Sequence, residues 1–180
     1  YDLKFVCFNS KKWIGNGFLI PSGPLRENIN SLKKYNVVFL NGNDENINKI
    51  KQTIAQINPE IEVFETLYKP TNLEKIDLSK KFIIFSGIGN SNSFRETLEE
   101  NHINIIKEII FPDHYNYNKN DLKKIKLDAK KIGANIITTE KDYVKLSEED
   151  KKEIGFLEIS LEIKSEKRLI EFIKKSYDKF

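Results

Sequence analysis

The chain has 180 residues, enough for one domain with a sizeable core and short for two. Hydrophobic residues make up 39% and charged residues 32%, and the 30 basic side chains are spread among 27 acidic ones, so a net charge of +3 gives no ground for nucleic-acid binding. A lone Cys7 excludes an internal disulfide and fits a reducing compartment, no run approaches a membrane span, and the absence of methionine ahead of an apolar segment makes Tyr1 read as a cut edge.

Apolar runs then alternate with helical patterns. Leu3–Phe8 predicts the first strand, with Cys7 as a small buried hydrophobe inside it. The stretch 15–27, GNGFLIPSGPLRE, follows as a fixed irregular loop in which Asn16 sits between two glycines. It closes with Arg26 and Glu27 at the mouth of a predicted helix, Arg26–Lys34. A guanidinium suits a phosphate and a carboxylate suits a metal or a sugar hydroxyl; a charge pair that merely opens the helix is the plain alternative. Strand Asn36–Asn41, helix Asp44–Ile57 and strand Ile61–Leu67 come next. Strand Phe82–Gly87 then runs into Ser86-Gly87-Ile88-Gly89-Asn90, a turn of phosphate-cradling form before a helix over Ser93–Asn101. It has no Walker lysine and no third glycine, so tight-turn glycines explain it as well. Ser93 and Glu96 have capping-box spacing, and His102 falls just past the helix end.

Strand Ile105–Phe111 stops at Pro112, and Asp113 and His114 project beyond it. A carboxylate beside an imidazole near a crevice is a candidate for proton transfer, or else a structural hydrogen-bond hub. Helix Asp121–Ile132 closes at Gly133, and strand Ala134–Thr139 opens into Thr138-Thr139-Glu140-Lys141-Asp142 and a short turn over Lys141–Leu146. Those hydroxyls and charges suit a phosphorylated ligand, or a helix N-cap with its compensating charges. The alternation of Phe156–Ile163 predicts an edge or antiparallel strand with one wet face. The last helix, Glu166–Tyr177, carries Leu169, Ile170, Ile173 and Tyr177 as a stripe that packs on the sheet or lies on lipid. The expected fold is α/β and Rossmann-like: a single domain over 1–180, with a largely parallel sheet, helices on both faces and one antiparallel or edge strand. All four motifs fall at carboxyl ends of strands, on one expected rim, where such sheets bind ligands. No metal ligand set is assigned.

In order, these motifs resemble those of the tetraacyldisaccharide 4'-kinases. GNGFLIPSGPLRE is similar to the family's GNGxLLPxGPLRE, FSGIGN to FAGIGNP, FPDHY to FPDHH or FPDHY, and TTEKDYVKL to TTEKDAVKL; Asp2-Leu3 matches the DL before the first. The resemblance runs from Asp2 to about Leu146, with Ser22 where the family often has Ala and Ser91 where it often has Pro. It implies ATP-dependent phosphorylation of the 4'-hydroxyl of a tetraacyl glucosamine disaccharide 1-phosphate in lipid A biosynthesis, with Mg²⁺, a Walker A loop and a histidine–aspartate pair as base. The histidine falls on His114, Arg26 and Glu27 match the pair lining the site, and Asn16 is expected to bind substrate with them; Gly87, Gly89, Asn90, Thr139, Glu140, Lys141 and Asp142 match pocket loops. No GxxxxGK[ST] occurs in the chain. A DDGFQ-type segment, the aspartate partner of His114 and the phosphate loop are therefore expected in a missing N-terminal half. The chain alone is expected to be inactive and not to hold ATP, and the whole protein to sit peripherally on the cytoplasmic face of the inner membrane. A free-standing α/β ligand-binding module is the alternative, as is an unrelated transferase or hydrolase using Asp113 and His114.

Overall fold

The computed structural model describes residues 3–177, so Asp2 of the Asp2-Leu3 pair lies outside the described residues. Its elements, in chain order, are β1 (Phe5–Asn9), a 3-10 turn (Ile29–Lys34), β2 (Val37–Asn41), α1 (Ile47–Ile57), β3 (Glu62–Pro70), a 3-10 turn (Leu73–Lys75), β4 (Lys81–Ser86), α2 (Ser91–Glu100), β5 (Asn104–Ile110), α3 (Lys119–Ile132), β6 (Asn135–Thr139), α4 (Glu140–Tyr143), α5 (Glu148–Lys151), β7 (Gly155–Leu157), β8 (Ile159–Ile163) and α6 (Glu166–Tyr177).

The strands are dealt into two four-stranded sheets, ordered β1-β2-β3-β8 and β5-β4-β6-β7. The described residues correspondingly form two compact units, one running to Lys69 and resuming at Leu161, the other spanning Pro70–Ser160. Where the sequence reads as one domain with one sheet, each unit has its own sheet and core. The cause sits in Phe156–Ile163, which is two strands rather than one: β7 ends at Leu157 in one sheet and β8 begins at Ile159 in the other. A change of sheet leaves no mark on an alternating pattern, because both strands keep the period of two.

In the first unit β1, β2 and β3 run parallel, with Phe5 opposite Val37 and Val37 opposite Glu62, and β8 completes the edge as the antiparallel member that its alternation predicts. Val38 and Leu40 pack with Ile50 and Ile54 of α1 on one face; Val37 and Phe64 pack with Leu169 and Ile173 of α6 on the other. Thus the α6 stripe is only partly on the sheet, since Ile170 and Tyr177 are exposed. Cys7, expected inside the core, is exposed on β1.

In the second unit β4 pairs parallel with both β5 and β6, and β6 pairs parallel with β7. Along β4, Ile83 and Phe85 face Leu122, Ile125 and Ala129 of α3, while Phe82 and Ile84 face Phe94 and Leu98 of α2. Both faces of a parallel strand are therefore covered, which is why β4 reads as an unbroken apolar run. Burying a side chain of this size contributes roughly 1.5–3 kcal/mol.

Helix ends depart from expectation at two places. The capping box expected at Ser93 and Glu96 does not form, because α2 already begins at Ser91 behind Asn90; the box lies instead at α3, where Asn118 accepts from the Asp121 N–H and the Asp121 carboxylate accepts from the Asn118 N–H. The predicted helix Arg26–Lys34 contracts to Ile29–Lys34, because Asn28 caps it by accepting from the Asn30 N–H. Gly133 ends α3 in the left-handed conformation, φ 64°, as its placement predicts.

Candidate functional site

The four motifs are divided between the two sheets. The glycine-proline loop belongs to the first unit, and the other three come together at the carboxyl edge of the second unit's sheet.

In the first unit, the side chain of Asn16 is occupied by its own loop: Oδ1 accepts from the Phe18 N–H at 3.1 Å and Nδ2 donates to the Ser22 carbonyl at 2.9 Å. Gly23 closes this loop so tightly that an added Cβ would lie 2.2 Å from Asn16 Oδ1. The loop delivers Arg26 and Glu27, both exposed, to the wall of a cavity of about 370 Å³ that Val6, Phe8, Trp13 and Leu32 also line. Glu27 accepts weakly from the Tyr35 hydroxyl at 3.4 Å. The pair therefore precedes the 3-10 turn and does not serve as its cap.

In the second unit, the β4–α2 turn, the β5–α3 loop and α4 meet. Phe111 N–H donates to the Ser86 carbonyl at 2.8 Å and His114 N–H to the Gly87 carbonyl at 3.1 Å, which ties the Asp113-His114 segment to the glycine turn. His114 N–H also reaches Asp113 Oδ1 at 3.0 Å, and His114 Nε2 lies 3.8 Å from Asp113 Oδ2. Lys141 Nζ approaches the same carboxylate at 3.6 Å. Gly89 borders it too, since a Cβ there would come within 3.3 Å of Asp113 Oδ2. The cluster faces water: the His114 side chain is 76% exposed. Its backbone adopts φ 60°, which costs a residue with a Cβ about 1–3 kcal/mol and must be held by its surroundings. His102 has the same φ but at a helix end, where that conformation is an ordinary stop. Asn90 precedes α2 without a side-chain capping bond, and Glu140 is exposed at the start of α4.

Thr139 and Asp142 form the helix N-cap that is one of the two readings of their motif. Thr139 caps α4, accepting from the Asp142 N–H at 3.1 Å and donating to Asp142 Oδ2 at 2.8 Å. Asp142 is fully buried, accepting also from the Gly87 N–H at 2.8 Å and from Lys145 Nζ at 2.8 Å. Burial pushes its carboxyl toward the neutral form, but the hydrogen bonds from Lys145, Gly87 and Thr139 outweigh it and hold the group below the usual carboxylate range. The Tyr117 hydroxyl, buried and without a hydrogen-bond partner among the described residues, sits over Gly87; burial first and the Asp142 charge second push its phenol well above the usual range. Tyr117 lies outside the sequence motifs, and Lys145 lies within TTEKDYVKL but is not among the candidate site residues read from it. Asp142 does carry a signal, the Thr139-x-x-Asp142 spacing of a capping pair.

Among the described residues no group of three His, Cys, Asp or Glu side chains is placed to hold a metal ion, and no helix is long and apolar enough to cross a membrane. Comparison with known proteins agrees along nearly the whole chain. The family described as Tetraacyldisaccharide-1-P 4'-kinase matches residues 1–178. The tetraacyldisaccharide 4'-kinase of Pelagibacter ubique is 50% identical over 169 residues, which cover 94% of this chain and 54% of that protein. That of Rickettsia bellii is 39% identical, covering 97% of this chain and 52% of its own length. The chain thus spans about half the length of the curated relatives it matches. The crystal structure of "apo" LpxK from Aquifex aeolicus in complex with ATP shares the fold with a TM-score of 0.61 at 19% identity, over 97% of this chain and 52% of that one. The chain belongs to the tetraacyldisaccharide-1-P 4'-kinase family.

Proposed function

We propose that the protein of which this chain forms about half is an ATP-dependent kinase that phosphorylates the 4'-hydroxyl of a tetraacyl glucosamine disaccharide 1-phosphate, a step of lipid A biosynthesis. The observation that carries this is the 50% identity to a tetraacyldisaccharide 4'-kinase over 94% of the chain. The Asp113–His114–Lys141 cluster at a parallel sheet's carboxyl edge gives that identity a chemical locus.

His114 takes the proton of the sugar hydroxyl through its exposed imidazole. Asp113 limits the ring's swing, and Lys141 places a cation beside it for a phosphate-bearing ligand. Arg26 and Glu27 bind the disaccharide, Arg26 as a planar donor fork and Glu27 as a hydroxyl acceptor. The sequence has no phosphate loop of the GxxxxGK[ST] form, so the ATP site and the Mg²⁺ that accompanies it are assigned outside this chain. Both belong to the rest of the relatives' length, and this chain alone turns over no substrate. The enzyme works from the cytoplasmic face of the inner membrane as a peripheral protein, a placement its acylated substrate requires.

In the full-length protein His114→Ala lowers turnover by roughly 10²–10⁴, the usual contribution of a general acid–base group. Unchanged turnover returns His114 to a structural role. Calorimetry of the isolated chain should detect no ATP binding in the micromolar range; a micromolar isotherm would refute the division of labour.

A further inference from the structure

Resting on His114 as the base, we propose that Asp142 is a positioning residue for it, acting through Gly87. Two of the capping pairs in this unit join a hydroxyl to an aspartate at the same spacing, and only one of these two is used in this way. At α5, Ser147 donates to Asp150 Oδ2 at 2.6 Å and accepts from its N–H at 3.2 Å, and Asp150 remains partly open to water. At α4, Thr139 makes the same two bonds with Asp142, yet Asp142 is buried completely and its Oδ2 takes a further bond from the N–H of a residue 55 positions away. Capping a single helical turn does not require that burial, which is costly for a carboxylate. What the burial adds is a charged acceptor behind Gly87.

Gly87 is the joint of the arrangement. Its N–H is held by Asp142 and its carbonyl accepts the His114 N–H at 3.1 Å, so one residue links α4 to the backbone of His114. The joint has no slack. A Cβ at Gly87 would stand 2.9 Å from the Tyr117 hydroxyl and 3.2 Å from both the Pro112 carbonyl and Tyr115 Cβ. The bond it anchors is one of two that His114 N–H makes while the residue is held at φ 60°. The other acceptor, Asp113 Oδ1, belongs to the same loop and cannot fix that loop relative to the sheet. Lys145 pairs with the far oxygen of Asp142 at 2.8 Å, which leaves Oδ2 for Gly87 and Thr139. Displacing an aligned proton acceptor by an ångström costs about 10² in rate, so the setting of this joint bears on turnover more than on substrate affinity.

The test is a double-mutant cycle in the full-length protein, with ¹⁵N-histidine spectra beside it. Asp142→Ala lowers kcat by about 10–100-fold, with KM for ATP changed less than about twofold. Asp142→Asn, which keeps a carbonyl oxygen for the Gly87 N–H, recovers most of that loss. In a His114→Ala background neither change has a further effect, because the group they position is gone. The amide resonance of His114 shifts in both Asp142 variants, more in the alanine one. If the alanine variant does not fold, the shift of the His114 amide in the asparagine variant decides the question, with that variant's smaller loss of kcat expected only where His114 is present. Equal losses with and without His114, or an unmoved His114 amide, overturn the positioning role. If His114→Ala alone leaves turnover intact, the base assignment fails while the amide shift still decides whether Asp142 sets the backbone of His114.

Discussion

Replacing Gly87 with alanine should disturb the Asp113-His114 loop without touching a reacting group. The added Cβ would meet the Tyr117 hydroxyl at 2.9 Å, about half an ångström inside the 3.4 Å where ordinary contact begins, with the Pro112 carbonyl and Tyr115 Cβ each at 3.2 Å. All three neighbours lie in the segment that carries Asp113 and His114, so the strain is relieved by moving that segment outward. Overpacking of this order costs about 1–3 kcal/mol. An ångström of misplacement is worth about 10² in rate, so half of that predicts a roughly tenfold fall in turnover. The Tyr117 hydroxyl is the nearest obstruction and has no hydrogen-bond partner among the described residues. Tyr117→Phe alone should therefore be neutral or slightly stabilising. Combined with Gly87→Ala it should restore most of the lost stability and less of the lost turnover, because the Pro112 and Tyr115 contacts remain. Thermal unfolding and steady-state turnover of the four full-length proteins check this. A double variant as unstable as Gly87→Ala alone would refute the steric account, as would a Gly87→Ala protein of wild-type turnover.

Two further outcomes concern stability. Asp142, held below the usual carboxylate range, stabilises the fold above its unfolded value of about 3.9 and loses that contribution as pH falls through its lower folded value. The unfolding free-energy difference between wild type and Asp142→Asn should be steady from pH 7 to about 4 and shrink below it; a difference constant down to acid pH refutes the linkage. Gly133→Ala should cost about 1 kcal/mol, because the site demands φ 64° while an added Cβ meets nothing within 4 Å. Gly133→Asn should cost less, and equal melting temperatures for all three proteins would count against the cap.

Much of this architecture is legible in the sequence because buried parallel strands are apolar on both faces. The β4 run, Lys81–Ser86, stands out for that reason, and Gly133 marks the end of α3 by a local backbone demand. Non-local facts were not legible. Nothing near Glu158 announces that Leu157 and Ile159 enter different sheets, and nothing in TTEKD announces that Asp142 turns inward to a glycine 55 residues away. Cys7 misleads in the opposite direction: an apolar neighbourhood in sequence does not bury a residue on an edge strand. The glycine-proline loop is recognisable as a loop, yet its internal use of the Asn16 amide depends on how Gly23 closes it.

The separation of β7 from β8 by one residue has a topological consequence. Thr71 N–H donates to the Glu158 carbonyl at 3.0 Å, while the Asn72 side chain donates to the Phe156 carbonyl and accepts from the Glu158 N–H, each at 2.9 Å. The polypeptide therefore leaves β3 and comes back to β8 through a single doorway. Viewed along the chain, β3 and β8 are the two arms of a hairpin whose turn has been replaced by an entire α/β layer structure. An inserted unit with its ends stapled together is the arrangement in which excision, permutation or exchange leaves the host strands in register.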